Sequence, residues 1–226
     1  MQETLLQAAA LIVPLIFAIV FHEVAHGWVA RALGDPTAHR LRRLTLNPLR
    51  HVDPIGTVLL PGALALAGAP VFGWAKPVPV DQRRLRNPRY GMMLVAAAGP
   101  LTNFVLAGLA AVLLGLLART LPTGPVPAFL ALNLWNFISI NIFLALFNLL
   151  PIPPFDGSHI VEGLLPRRAS RSYAKLRPYG FPLLFVLLLV VPYIWPSLGP
   201  VERVVVPPVE WAAAHYQALV RAVAGV

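Results

Sequence analysis

Cysteine is absent from the 226-residue chain, which excludes both a disulfide framework and a thiolate metal site. Charge is also scarce. Charged residues make up 12% of the chain against 58% hydrophobic ones, at a mean hydropathy of +0.71, too apolar for an ordinary soluble domain. Acidic side chains are the rarer sign, 9 against 18 Lys and Arg, giving a net charge of +9. In a soluble chain that excess would point to nucleic acid. Here the basic residues fall in short clusters between apolar runs, the signature of membrane topology, and no nucleic-acid partner is expected. The N-terminus has no basic n-region and no small-residue cleavage site before the first charges, so no cleaved signal peptide is expected. What is left is an α-helical polytopic membrane protein that lives in a lipid bilayer.

The run that begins at Leu5 closes on His22-Glu23-Val24-Ala25-His26. On a helix His22 and His26 lie one turn apart on one face, so both imidazoles reach a single divalent ion, and Glu23 sits beside them as a proton acceptor. A carboxylate at the end of an apolar run is costly unless it has a chemical role or a partner. The plain structural alternative is two histidines satisfied by hydrogen bonds in a bundle, with Glu23 paired to one of them. Asp156 weighs against it. The chain breaks at Leu149-Leu150-Pro151-Ile152-Pro153-Pro154-Phe155-Asp156, where the prolines impose extended backbone. A carboxylate there can cap the next helix and also turn back to complete a tetrahedral site of two histidines and one aspartate, with one open position.

The rest of the chain is ordered around these motifs. Residues 5–33 predict one helix of roughly 40 Å, with Pro14 as a candidate kink and Gly34-Asp35-Pro36 as its stop. Basic clusters at 31–50, 76–89 and 167–177 place those three segments on the cytoplasmic side. Within the first, 38–46 has strand character, and His39 and His51 lie in polar loops where, even with Asp53 nearby, they need no metal. The apolar stretch 54–72 carries Pro61, Pro70 and several glycines and lies between two basic clusters, which predicts a re-entrant or interfacial element that walls a cleft. Residues 91–117 and 129–150 predict spanning helices. Small residues and Asn103 open the first, and Asn133, Asn136, Asn141 and Asn148 in the second require interhelical hydrogen bonds or a polar cavity. A short last span is expected at 181–195, bordered by Tyr179, Tyr193 and Trp195, and a peripheral surface helix at 201–226, whose His215 has no assigned chemistry. The expected division is a core, 1–165, followed by a basic loop, final helix and peripheral segment, 166–226.

His22-Glu23-Val24-Ala25-His26, Ala98-Gly99-Pro100-Leu101-Thr102-Asn103 and Asn148-Leu149-Leu150-Pro151-Ile152-Pro153-Pro154-Phe155-Asp156-Gly157 together resemble the site-2 protease family of intramembrane zinc metalloproteases. The segment Phe72-Gly73-Trp74-Ala75-Lys76-Pro77-Val78-Pro79-Val80 is similar to the linker of its compact bacterial members. The resemblance implies a three-helix catalytic core, with a re-entrant or interfacial segment and additional helices, that cleaves membrane-protein substrates in a bacterial inner membrane, its active site open to the cytoplasm. By position it implies one catalytic zinc held by His22, His26 and Asp156, with Glu23 as the base that assists attack of the zinc-bound water. Asn148 matches the family asparagine that helps hold substrate or the oxyanion. Ser158 stands where a second glycine usually follows Asp-Gly. A metal-binding transporter or an inactive scaffold are the competing classes. A transporter would spread ionisable groups over several spans, and an inactive relative would have lost Glu23 or a ligand.

Overall fold

In hydrocarbon each backbone amide must be paired within its own segment, so the apolar runs of this chain form helices. The computed structural model describes residues 2–66, 68, 73–120, 124–195 and 198–226, and among them there is no strand. Helix α1 (Gln2–Ala32) contains Pro14, and α2 (Thr37–Arg40) is a single turn. A widened turn at Pro54–Leu59 leads into α3 (Leu60–Leu66). The two long helices α4 (Pro88–Thr120) and α5 (Pro125–Asn148) follow, then α6 (Asp156–Leu164) and the basic α7 (Arg167–Ala174). Helix α8 (Gly180–Phe185), a widened turn at Val186–Val190 and α9 (Val191–Ile194) make the next apolar stretch, and α10 (Pro200–Val204) and α11 (Val206–Ala224) end the chain. Four stretches of the described residues are long and apolar enough to cross a membrane, Ala9–Ala32, Pro88–Thr120, Pro125–Asn148 and Arg167–Ile194.

Helices α1, α4 and α5 pack on one another, and the buried asparagines at their contacts are hydrogen-bonded. Asn136 donates to the Ala10 carbonyl at 2.7 Å, and Asn103 donates to Asn141 at 2.7 Å and to the Ala18 carbonyl at 3.3 Å. These are the interhelical bonds that the asparagines demanded. Asn133 and Asn148 instead donate to carbonyls of their own helix, Phe129 and Leu144.

Three expectations change. Residues 38–46 are not a strand: α2 ends in a Schellman-type closure, with Arg43 N–H donating to the Ala38 carbonyl and Arg42 N–H to that of His39. Arg42 takes the left-handed position of that closure at a φ of 53°, and no ladder can pass through it. His51 is not a wet loop histidine. It is buried, with its Nε2 on the Thr45 carbonyl at 2.9 Å, while Asp53 accepts the amides of Ile55 and Gly56 at the start of the widened turn. Where a surface helix was expected, α11 runs beside α4 and α5: Ala212 joins Ala107, Ala111, Ile138 and Ile142 in one apolar cluster, and Tyr216 donates to the Phe104 carbonyl. The small side chains of α4 leave room for it, since a methyl group on Gly115 would stand 2.7 Å from the Val220 carbonyl.

The segment expected to re-enter is a short apolar helix, Pro54–Leu64, well under the roughly 20 residues a span needs. Pro70 and Phe72 of that segment lie outside the described residues, as do 121–123 of the turn before α5. Its two ends are tied together. Trp74 N–H donates to the Gly56 carbonyl at 3.1 Å, Thr57 Oγ1 to that of Trp74 at 2.9 Å, and Lys76 N–H to that of His51 at 2.8 Å. Nearby, Asp35 fastens the end of α1 to the linker by accepting the Thr37 and Asp81 amides and the Thr37 hydroxyl. Burial pushes the Asp35 carboxyl up, but these donors, with Arg84 adding to them, outweigh it and hold the carboxyl below the usual carboxylate range.

Candidate functional site

Two stripes of residues spaced four apart face each other across antiparallel helices, Ala18, His22 and His26 on α1 and Val95, Gly99 and Asn103 on α4. His22 Nδ1–H donates to Asn103 Oδ1 at 2.5 Å, and His26 Nδ1–H donates to the Val95 carbonyl at 2.7 Å. With the outer nitrogens committed, both Nε2 lone pairs point inward. The imidazoles meet edge to face, with centroids 4.7 Å apart. Gly99 makes this possible, because a methyl group there would stand 2.5 Å from His22 Cε1 and 2.6 Å from both His22 Nε2 and His26 Cε1.

Asp156 is the first residue of α6, which is docked on α4 by Gly163 against Met93 and by Arg89, whose guanidinium donates to the Gly163 carbonyl at 2.9 Å and also to that of Leu165. A cation there satisfies the last carbonyls of α6. At the other end Gly157 lies against the Leu149 and Leu150 carbonyls, which seats the start of α6 on the break that precedes it. Its Oδ2 lies 3.1 Å from His22 Nε2 and 3.3 Å from His26 Nε2. Though buried, that oxygen makes no hydrogen bond of acceptable geometry. Three ligand atoms thus face a common point and not one another. Ligands at tetrahedral zinc distances of about 2.05 Å are about 3.3 Å apart, so the donor set fits zinc.

Glu23 and Asn148 stand apart from this convergence. Glu23 Oε2 accepts the Val78 amide at 2.7 Å. Pro77 and Pro79 flank Val78 and carry no N–H, so this is the one amide of 77–79 and it is spent on Glu23. Asn148 ends α5 with Nδ2 on the Leu144 carbonyl at 2.9 Å, and no hydrogen bond joins it to His22, His26 or Asp156 among the described residues. His159, one turn after Asp156, stands 3.4 Å from the Arg177 guanidinium, which also pairs with Glu162. Burial, reinforced by Arg177, pushes the His159 imidazole below its ordinary value.

The family model described as Peptidase family M50 matches residues 10–123 and 120–191. The chain belongs to peptidase family M50. It is 40% identical over 200 residues to the "Putative zinc metalloprotease YwhC" of Bacillus subtilis, covering 84% of this chain and 85% of that one. It is 30% identical over 178 residues to the "Putative zinc metalloprotease Rip2" of Mycolicibacterium smegmatis, covering 78% and 65%. A "Putative zinc metalloprotease" of Methanocaldococcus jannaschii, MJ0611, is 32% identical over 145 residues, covering 63% and 64%. No solved structure matches the chain. This M50 chain is a zinc metalloendopeptidase of the site-2 protease type and a multi-pass membrane protein.

Three features of the site were not expected from the sequence: the Val78 amide on Glu23, the relay from His22 through Asn103 to Asn141, and the close fit of Gly99. Only the last two left a trace, since Val95, Gly99 and Asn103 share one helical stripe with the spacing of the histidines.

Proposed function

We propose that this M50 chain hydrolyses peptide bonds in or next to transmembrane segments of membrane proteins, with one zinc held by His22, His26 and Asp156. The observation that carries the reading is the convergence of His22 Nε2, His26 Nε2 and the orphaned Asp156 Oδ2 on one point. Zinc bound there supplies a Lewis acid and a water of lowered pKa. Asn103 and the Val95 carbonyl keep the two imidazoles in the tautomer that offers Nε2. Glu23, fixed through Oε2 by the Val78 amide, offers Oε1 to the proton released as the water oxygen adds to the scissile carbonyl carbon. When the C–N bond breaks, the same carboxylate delivers that proton to the amine nitrogen. Asn148 uses one of its two N–H donors on Leu144, and the second remains for substrate or the oxyanion. Irregular backbone at 73–80 and 151–155 offers edges for an unwound substrate strand.

The division into a catalytic core, 1–165, and an accessory segment, 166–226, belongs to the same reading. So does the setting, a bacterial inner membrane with the site open to the cytoplasm and 54–72 re-entrant, supported by the basic clusters and by the tied ends of that segment. Topology is testable by single-cysteine labelling in intact cells, because the chain has no background thiol. Thr45→Cys and Gln82→Cys are expected to react from one side, and reaction from opposite sides would overturn the re-entrant assignment. For the activity, purified chain should cut a membrane-spanning reporter within or beside its apolar segment and lose that cleavage on chelation. Products that map to a soluble tail of the reporter would count against the reading.

A further inference from the structure

The loop that follows α1 holds an open cleft of about 430 Å³ lined by His39, Arg42, Leu44, Thr45, Asn47 and Arg50. No acidic side chain lines it, and His39, Arg42 and Arg50 have no side-chain hydrogen bond or ion pair among the described residues. The nearest acids in the chain are committed elsewhere, Asp35 to Thr37 and Asp81, and Asp53 to the amides of Ile55 and Gly56. Unpaired cations around a concavity select an anion. Arg42 also occupies the left-handed position that closes α2, where glycine or asparagine costs least. A strained arginine at such a place is the kind of departure that accompanies function.

The surroundings say where the anion comes from. Leu41, Leu46 and Leu49 flank the arginines and are 60%, 47% and 79% exposed. One turn back on α1, Arg31 lies over the exposed Trp28 ring at 5.4 Å, a pair that suits the boundary of a membrane. Exposed leucines beside arginines, next to the end of a spanning helix, form a surface that meets acyl chains and phosphates together.

We propose that this cleft binds the phosphate headgroup of an anionic membrane lipid, with Arg42 and Arg50 on the phosphate and the leucines in the acyl boundary. The cleft is wired to the catalytic helix. Leu44 on its wall packs on Gly27, next to His26. Arg43, between Arg42 and Leu44, donates to the Lys76 carbonyl at 2.9 Å and the Pro77 carbonyl at 3.4 Å, and the next residue of that linker, Val78, holds Glu23. A headgroup that orders this loop therefore orders the linker that fixes Glu23. The lipid site does not depend on the catalytic reading, only on the chain's place in a membrane.

The test is lipid retention by the purified full chain, measured by native mass spectrometry with phosphatidylglycerol, phosphatidylcholine and inorganic phosphate as separate probes. The native chain should hold one phosphatidylglycerol more tightly than any phosphatidylcholine. Arg42→Asn with Arg50→Gln should weaken that retention about 30-fold, from a little over fivefold for each arginine near a membrane surface. Asparagine tolerates the left-handed backbone, and Arg50→Gln alone, which leaves that backbone untouched, should show about a fivefold loss. Arg167→Gln with Arg168→Gln removes the same charge from another exposed cluster and should keep the lipid. Equal loss in that control would reduce the effect to net charge and overturn the proposal. Retention of inorganic phosphate at millimolar concentration as tight as that of phosphatidylglycerol, and lost in the same variants, would assign the phosphate alone and overturn the lipid as ligand. If lipid retention is unchanged in the cleft variant while acidic residues flanking a reporter's scissile segment lose their effect on KM, the cleft reads substrate and the lipid proposal fails.

Discussion

Glu23→Gln is expected to keep its zinc and its thermal stability and to lose at least about 10²-fold in turnover, with a larger loss if the same carboxylate protonates the leaving amine. The reason lies in what each oxygen of Glu23 does. Oε2 accepts the Val78 amide, a bond that a glutamine carbonyl oxygen can keep, so the linker stays seated. The other position becomes an NH2 group, which cannot take a proton at neutral pH. If Glu23 instead served only to anchor the linker, the variant would show a near-native rate once folded. Zinc content, melting temperature and reporter cleavage measured on one detergent preparation separate the two. A zinc-loaded, stable Glu23→Gln chain that cleaves at close to the native rate would remove general-base catalysis by this residue.

Gly99→Ala should be the most damaging single methyl in α4. The added carbon would stand 2.5 and 2.6 Å from atoms of His22 and His26, and both imidazoles are already fixed from behind by Asn103 and the Val95 carbonyl. Neither ring can retreat without breaking its outer hydrogen bond, and disturbing such bonds costs about 10 to 100-fold in metal affinity. We expect a loss of zinc affinity at the upper end of that range. Gly108→Ala is the matched control in the same helix, because a methyl there meets only Tyr216 Cε1 at 3.7 Å. It should keep zinc and gain up to about 1 kcal/mol in helix propensity. Zinc titration of the two variants by calorimetry checks the contrast. Equal affinities would mean that the histidines are not held against α4 as described.

The extent to which the chain could be read in advance follows the physics of each element. Long apolar runs in lipid have only the helix open to them, so α1, α4 and α5 were legible to within a few residues. The convergence of His22, His26 and Asp156 was legible because the two histidines are fixed by helical spacing, and the proline-rich break before Asp156 leaves a carboxylate with few places to go. Segments governed by local closure were harder. Residues 38–46 carry strand-like composition, yet the Schellman-type closure at Arg42 decides their path, and an arginine in a glycine position gives no composition signal. Val78 could not be found from sequence at all. Its amide matters because Pro77 and Pro79 silence their neighbours and because the linker returns to α1, which is a tertiary fact. Likewise α11 has the length and mixed polarity of a surface helix, and only the small residues of α4 reveal that it has a groove to occupy.

The account rests on one zinc held by His22, His26 and Asp156, and the most direct measurement is the metal content of purified folded native chain and Asp156→Ala. The native chain should carry one zinc per chain. Asp156→Ala should remain folded and carry far less, since it loses one of three protein ligands. Undiminished zinc in the folded variant, or a native chain that takes up none from excess zinc, would contradict the assignment of this site.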